Sequence, residues 1–391
     1  MKITEENGCI TLCLSGRIDA SNAAQVESEI FNGLHNTTAE EIVLDAEELT
    51  YISSAGLRVL LKAKKSFPQP LRVTNVSRDV YDIFEMTGFK DMLHVSKAYR
   101  KLSVDGCEVI GKGFFGTVYR IDPETILKVY HGRDSIPMIQ NEQRMAKKAF
   151  AAGIPTAISF DIVQVGEDYG SVFELLNAKT FNDLVVENSM PLEEIVKQYT
   201  DLIRLVHETE MEPGDLPSVR DRFVEYLEVI EEYLTEEQKQ ALSKMLSALP
   251  DVTTVTHGDF QMKNVMLVSG EPMLIDMDTM GFGQPIFDLQ ALYVTYRMFE
   301  EDEPGNAMSF LGMSSETAER IWELVLANYF SSATAEELTQ KENKIRLVAC
   351  LRFLFLLATT DLKSGDLGQK RIRHTKEHIA DLLLQVGDLD L

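Results

Sequence analysis

Lys128, Asp259, Asn264 and Asp276 lie far apart along a chain of 391 residues, in segments that make chemical sense only if the four side chains meet. The densest segment is His257-Gly258-Asp259-Phe260-Gln261-Met262-Lys263-Asn264, followed by Ile275-Asp276. It offers three oxygen-bearing groups. One carboxylate can take a proton from an attacking hydroxyl, and an amide oxygen with a second carboxylate can hold a magnesium ion that bridges nucleotide phosphates. A fold that uses them needs a cleft, with residue 128 arriving from one wall and residue 276 from the other.

The His-x-Asp-x-x-x-x-Asn spacing is that of a phosphoryl-transfer loop, with Gly258 where protein kinases carry Arg. Upstream, residues 110–119 fit the pattern G-x-G-x-x-G-x-V through Gly111, Gly113 and Gly116. Glycines there let the backbone approach phosphates with no Cβ in the way. The flanks, 107–110 and 117–121, favour β structure, so the loop is expected to close a hairpin and not to open a helix. Lys128 follows in the apolar strand Ile126-Leu127-Lys128-Val129-Tyr130. A buried ammonium is costly unless paired, and Glu142, in a helical stretch over 139–150, is the expected partner. The plain alternative is an exposed edge-strand lysine and a solvated helix glutamate; the order of the segments favours a site. Glu174, in Val172-Phe173-Glu174-Leu175-Leu176, falls where two lobes would join and backbone groups would meet adenine.

Residues from about 105 onward resemble the aminoglycoside/choline phosphotransferase family, the small-molecule branch of the protein-kinase-like fold. The likeness rests on His257-Gly258-Asp259, Asn264, Ile275-Asp276-Met277-Asp278, then Gly281, Gly283 and Asp288-Leu289. It implies a bilobal domain over 105–391, with a β-rich N-lobe over about 105–176 and a helical C-lobe over about 177–391. It implies ATP and Mg2+ as cofactors, Asp259 as general base, Asn264 and Asp276 as metal ligands, and Lys128 on the phosphates. Asp288 would be a buried acid bracing the catalytic loop, and His257 would orient its backbone. Asp278 is either a second metal ligand or a loop anion.

The first hundred residues follow a different pattern. Two β-patterned runs, 2–5 and 9–14, flank Glu6-Asn7-Gly8, a hairpin signal. A helix over 21–34, a short strand over 42–45 and a polar loop over 46–50 are expected next. Tyr51-Ile52-Ser53-Ser54-Ala55-Gly56-Leu57-Arg58 then opens a second helix. A strand over 71–75, a helix over 79–86 and a strand near 93–96 complete an α/β unit. Residues 1–100 resemble a STAS domain of the anti-sigma-factor-antagonist type. That resemblance implies a protein partner of the anti-sigma-factor kind, released when a serine in this loop is phosphorylated. Alignment on Gly56-Leu57 puts Ser54 at that position, with Ser53 the other candidate. A phosphoserine adds a charge of about −1.5 to −2, which an acidic or apolar partner surface would reject. An ordinary helix cap is the alternative use of a serine here.

Charge narrows the partners. The chain carries 38 Lys and Arg against 62 Asp and Glu, net −24; residues 1–100 hold 11 against 14, and the remainder 27 against 48. Such a surface disfavours nonspecific nucleic-acid or anionic-membrane binding. It suits a cationic substrate and simple solubility equally. Cys9, Cys13, Cys107 and Cys350 form no C-x-x-C pair and read as reduced thiols of a cytoplasmic protein. No apolar run approaches the length of a membrane span, and no leader is apparent. Apolar periodicity predicts helices over 192–208, 223–249, 286–298, 318–330, 336–359 and 369–386, mostly packing a bundle core.

The expected architecture is therefore α/β followed by α+β: a STAS-like domain, then a kinase-like one. Three functions fit. The first is an ATP- and Mg2+-dependent phosphotransferase acting on a hydroxyl of a small molecule, coupled to a STAS regulatory module. The second is a signalling regulator whose kinase-like half binds nucleotide with little catalysis. The third is a protein kinase. Intact Lys128, Asp259, Asn264 and Asp276 favour the first over the second; Gly258 and the lack of D-F-G and A-P-E segments favour it over the third.

Overall fold

The computed structural model describes residues 1–6, 8–35, 37–112, 116–131, 135–176 and 178–391. The chain divides into two compact units, Met1–Ser103 with Ile162–Gly166, and Val104–Asp161 with Glu167–Leu391.

The first unit opens with β1 (Lys2–Glu6), β2 (Cys9–Ile18), α1 (Ala23–Leu34), β3 (Glu41–Ile52) and α2 (Ser54–Ser66). Then come β4 (Leu71–Val76), α3 (Arg78–Met86), the single-turn α4 (Phe89–Met92), β5 (Val95–Lys97) and β6 (Arg100–Lys101). Strands β1 to β5 lie side by side in chain order. The β1–β2 pair is antiparallel, as the hairpin signal predicts, and the others are parallel. Along β2 the side chains of Ile10, Leu12 and Leu14 alternate into the core, the two-residue period of a strand with one covered face. Ile30, Leu34, Leu57, Leu60, Val80 and Phe84 of the helices complete that core.

Residues 46–50, expected as a polar loop, belong to β3. Ala46 and Leu49 are buried, and the second half of β3 pairs with Ser15 to Ile18 of β2. Register shifts between Cys13 and Ser15 and between Gly16 and Arg17 absorb the misfit, as bulges do. Local polarity misled there because the ladder, not the side-chain pattern, holds the segment.

The second unit begins with β7 (Glu108–Lys112), β8 (Gly116–Asp122), β9 (Thr125–Tyr130), α5 (Ser135–Ala151), β10 (Asp161–Val165) and β11 (Asp168–Glu174). β10 pairs in parallel with β6 through Val163 and Gln164 and so groups largely with the first unit. Strands β11, β9, β8 and β7 form an antiparallel sheet in that order. β7 and β8, on either side of the glycine loop, pair antiparallel; Gly113 lies outside the described residues.

The rest is mainly helical: β12 (Lys179–Thr180), α6 (Phe181–Val186), α7 (Leu192–Glu208), α8 (Val219–Val229), α9 (Glu236–Ala248), β13 (Val255–Thr256), β14 (Val265–Val268), β15 (Glu271–Leu274) and β16 (Gly281–Phe282). It ends with α10 (Ile286–Tyr293), α11 (Phe299–Asp302), α12 (Asn306–Leu311), α13 (Ser315–Tyr329), α14 (Ala335–Thr359) and α15 (Gly365–Leu383). The helix expected over 223–249 is two helices. Thr235 and Gln238 form a reciprocal capping box at the start of α9, which sets a boundary that apolar periodicity does not register. The second half of α14 is buried on all sides through Leu347, Val348, Ala349, Cys350, Leu351, Phe353 and Leu354, the signature of a central helix. Burial pushes the Cys350 thiol up to about 12, so it stays protonated.

Candidate active site

Strand alternation turns Leu127 and Val129 of β9 into the core and Lys128 to the other face. There its Nζ lies 3.2 Å from Oε1 and 3.4 Å from Oε2 of Glu142, the buried acid on α5. The same Nζ hydrogen-bonds Oδ1 of Asp276, in the loop after β15. Tyr130 donates its hydroxyl to Oε2 of Glu142, and the ammonium sits 5.0 Å from the centre of the Tyr130 ring. One cation and two carboxylates thus share a partly buried space. Burial alone would make the Lys128 ammonium easier to deprotonate, but Asp276 and Glu142 more than offset it and hold it charged well above its ordinary range. Burial, with the extra negative charge of Asp276 and Asp278, pushes the Glu142 carboxyl up despite Lys128. The two directions are consistent, because two acids compete for one ammonium.

The loop between β13 and β14 carries His257 to Asn264. Asp288, fully buried on α10, accepts the backbone N–H groups of His257 at 2.8 Å and Gly258 at 2.6 Å, and contacts His207 Nε2 at 3.0 Å. Burial alone would raise its carboxyl; the hydrogen bond and charge interaction with His207, and the backbone donors, hold it below the usual range. His257 Nδ1 accepts the Asp259 N–H at 3.3 Å, so the ring proton is on Nε2, which donates to the Ile275 carbonyl at 3.1 Å. His257 therefore ties the Asp259 segment to the Asp276 segment.

Asp259 Oδ2 accepts from Gln261 Nε2 at 2.9 Å and from Asn264 Nδ2 at 3.0 Å. Asn264 Nδ2 also donates to the Asp259 carbonyl, at 2.9 Å. Among the described residues no hydrogen bond reaches Asp259 Oδ1 or Asn264 Oδ1. Asp276 adopts a left-handed backbone, φ 58, which Asp tolerates better than most residues. Asp278 is half-buried, with no hydrogen bond to its carboxylate among the described residues. Burial first, then the nearby Asp276 and Asp259 carboxylates, raise its carboxyl against the pull of Lys128.

The glycines serve different ends. A Cβ at Gly116 would stand 2.2 Å from the Val129 carbonyl oxygen, so strand contact alone demands glycine there. At Gly111 a Cβ would meet only the Val118 side chain at 3.6 Å, so packing alone does not demand glycine there. Glu174 ends β11 and is exposed. Sequence patterns did not point to Tyr130 or His207. Tyr130 stands two residues after the lysine, on the opposite side of an apolar position. His207 sits on an apolar helix face, where nothing marks it as a contact of Asp288.

In the first unit, Ser53 Oγ accepts the Ala55 N–H at 3.2 Å and caps α2. Ser54, the first residue of that helix, is exposed, and its hydroxyl makes no hydrogen bond among the described residues. One serine is committed to structure and its neighbour is available.

The donor set suits a magnesium ion held together with phosphates. Asn264 Oδ1 and the Asp276 and Asp278 carboxylates are hard oxygens of the kind magnesium takes. Among the described residues no group of three or more His, Cys, Asp or Glu is placed to hold a metal ion. Among the described residues no helix is long and apolar enough to cross a membrane.

Comparison with known proteins follows the same division. A family model described as the STAS domain matches residues 1–102, and one described as the phosphotransferase enzyme family matches residues 106–320. BtrV of Bordetella bronchiseptica, named as a proposed anti-sigma factor antagonist, is 34% identical over 103 residues, 25% of this chain and 88% of BtrV. The anti-sigma-B factor antagonist of Staphylococcus aureus is 28% identical over 87 residues, 22% of this chain and 80% of its own length. Among solved structures, a choline/ethanolamine kinase family protein from Mesorhizobium loti matches with a TM-score of 0.46 at 16% identity, over 72% of this chain and 92% of that one. The ADP-bound aminoglycoside phosphotransferase APH(2'')-Ib matches with a TM-score of 0.45 at 12% identity, over 79% and 98%. The chain belongs to the phosphotransferase enzyme family, and a STAS domain precedes its phosphotransferase domain.

Proposed function

We propose that the second unit transfers the γ-phosphoryl group of ATP to a hydroxyl of a small molecule, and that the first unit couples this activity to a protein partner of the anti-sigma-factor type. The observation that carries the proposal is the meeting of Lys128, Glu142 and Asp276 in one ion-paired group, alongside the Asp259–Asn264 pair.

In this reading Lys128 binds the nucleotide phosphates, with Glu142 and Tyr130 holding its ammonium in place. Gly111, Gly113 and Gly116 form the loop over the phosphates, and the chain at Glu174 meets the adenine. Asp259 keeps Oδ2 occupied by Gln261 and Asn264, which orients Oδ1 to accept the proton of the acceptor hydroxyl. The acceptor oxygen forms its bond to phosphorus as the bond to the ADP oxygen breaks, and the proton passes to Asp259. Magnesium bound with ATP would supply charge neutralisation on the phosphates, with Asn264 and Asp276 as its protein ligands and Asp278 near enough to assist. Asp288 and His257 act through the loop backbone. Gly258 supports a small-molecule acceptor over a protein kinase role, since its backbone leaves no room for the arginine side chain of that class.

Ser54 is the phosphorylation site this proposal favours, because Ser53 is engaged as the cap. The test is ADP formation from Mg2+-ATP in the presence of aminoglycosides, choline-like amines, amino-alcohols and sugars. Acceptor-dependent turnover by one class, lost in Asp259→Asn, supports the proposal. ATP binding with no turnover in any class would favour a nucleotide-binding regulator instead.

A further inference from the structure

Two peptide groups just after Asp259 end on buried tyrosine hydroxyls. Tyr199 of α7, 0% exposed, donates its hydroxyl to the Phe260 carbonyl. Tyr296, 2% exposed, accepts the Met262 N–H at 3.2 Å. The Tyr199 proton goes to the Phe260 carbonyl and the Tyr296 oxygen takes the Met262 N–H, so the two phenols hold the two peptide groups that flank Gln261.

The Gln261 side-chain amide donates to Asp259 Oδ2 at 2.9 Å, and the Gln261 backbone carbonyl accepts the Asn264 N–H at 2.8 Å. The backbone pinned by the tyrosines is therefore the backbone that aims the carboxylate and the amide of the site. Tyr296 projects from a π-helical segment, Val294–Met298, that follows α10. Such segments cost helix stability and are kept where an extra residue aims a side chain. The Tyr199 ring meets the Phe260 ring edge-on at 5.7 Å, which fixes the phenol's direction. Burial keeps both phenols protonated far above their ordinary range, with Asp259 among the charges adding to the effect.

We infer that Tyr199 and Tyr296 are positioning residues for phosphoryl transfer, acting through the Phe260–Met262 backbone on Asp259 and Asn264. The inference rests on the phosphotransferase reading above. If the tyrosines were only core filler, removing their hydroxyls would lower stability without a specific effect on the loop.

The test uses Tyr199→Phe, Tyr296→Phe and the double variant in the full chain, with two measurements. Amide hydrogen exchange compares peptides covering 257–264 with peptides from α14, and steady-state kinetics uses an acceptor that the parent turns over. Each single variant should speed loop exchange about tenfold or more while α14 keeps its protection. Each should lower kcat about tenfold with KM for ATP within about twofold, and the double should lose at least as much as the worse single. Unchanged loop exchange, faster exchange spread equally through α14, or unchanged kcat would each overturn the inference. A parent inert towards every acceptor would sink the phosphotransferase reading alone; the exchange measurement would still decide the tyrosines.

Discussion

Gly258 donates its N–H to the Asp288 carboxylate at 2.6 Å from a left-handed backbone, φ 87. The adjoining His257 N–H reaches the other oxygen of Asp288 at 2.8 Å. One buried acid thus sets the turn that delivers Asp259. A Cβ on Gly258 would stand 2.6 Å from the Thr279 carbonyl oxygen. Gly258→Ala is therefore expected to cost about 1 to 3 kcal/mol of stability and to abolish acceptor-dependent turnover, checked by calorimetry and ADP release.

Asp288→Asn replaces an acceptor that takes two backbone donors and a histidine. It should destabilise by about 1 to 3 kcal/mol at neutral pH. The folded-state carboxyl is depressed, so its contribution is present above the unfolded value of about 3.9 and is lost as pH falls through the folded value. The gap in melting temperature between parent and variant should stay open from pH 7 to about pH 4 and narrow below it. A gap that widens in acid would contradict the assignment.

Lys128→Met leaves Glu142 and Asp276 facing each other without a cation. ATP affinity should fall tenfold or more, and stability should fall by about 3 kcal/mol, near the lower end for a broken buried pair because Glu142 can take up a proton. Adding Glu142→Gln should restore much of the stability and none of the ATP binding. Calorimetry and titration of ATP separate the two effects.

Asp259→Asn keeps the shape of the side chain and removes its basicity. Turnover should drop at least a hundredfold, the scale of a general base, while ATP affinity stays within about threefold because the phosphates are held elsewhere. Parent-like turnover would remove Asp259 from the chemistry.

Ser53→Ala should cost the first unit about 1 kcal/mol through the lost cap, whereas Ser54→Ala should change stability by less than about 0.5 kcal/mol. Ser54→Asp should weaken capture of an anti-sigma-factor-type partner that the parent binds. Equal capture by parent and variant would detach Ser54 from partner release.

Much of the site was legible because phosphoryl transfer uses few residue types at fixed short spacings. His257 to Asn264 form one loop, so spacing alone placed Asp259 beside Asn264. Lys128 in an apolar strand called for an acid, and Glu142 answers it. The boundaries of regular structure were less legible. β3 runs through a segment that looked like a loop because pairing with β2 outweighs local polarity, and the capping box at Thr235 splits a helix that apolar spacing would continue.

What the amino-acid order determined by itself is therefore the local chemistry: which loops carry oxygens, which strands carry a lone charge, which serine can begin a helix. Tertiary structure alone decided the contacts that no motif announces, such as His207 with Asp288 and Tyr199 with the Phe260 carbonyl. Those depend on how helices and strands pack. A buried polar side chain on an apolar face reads as core until the group it must satisfy is brought against it.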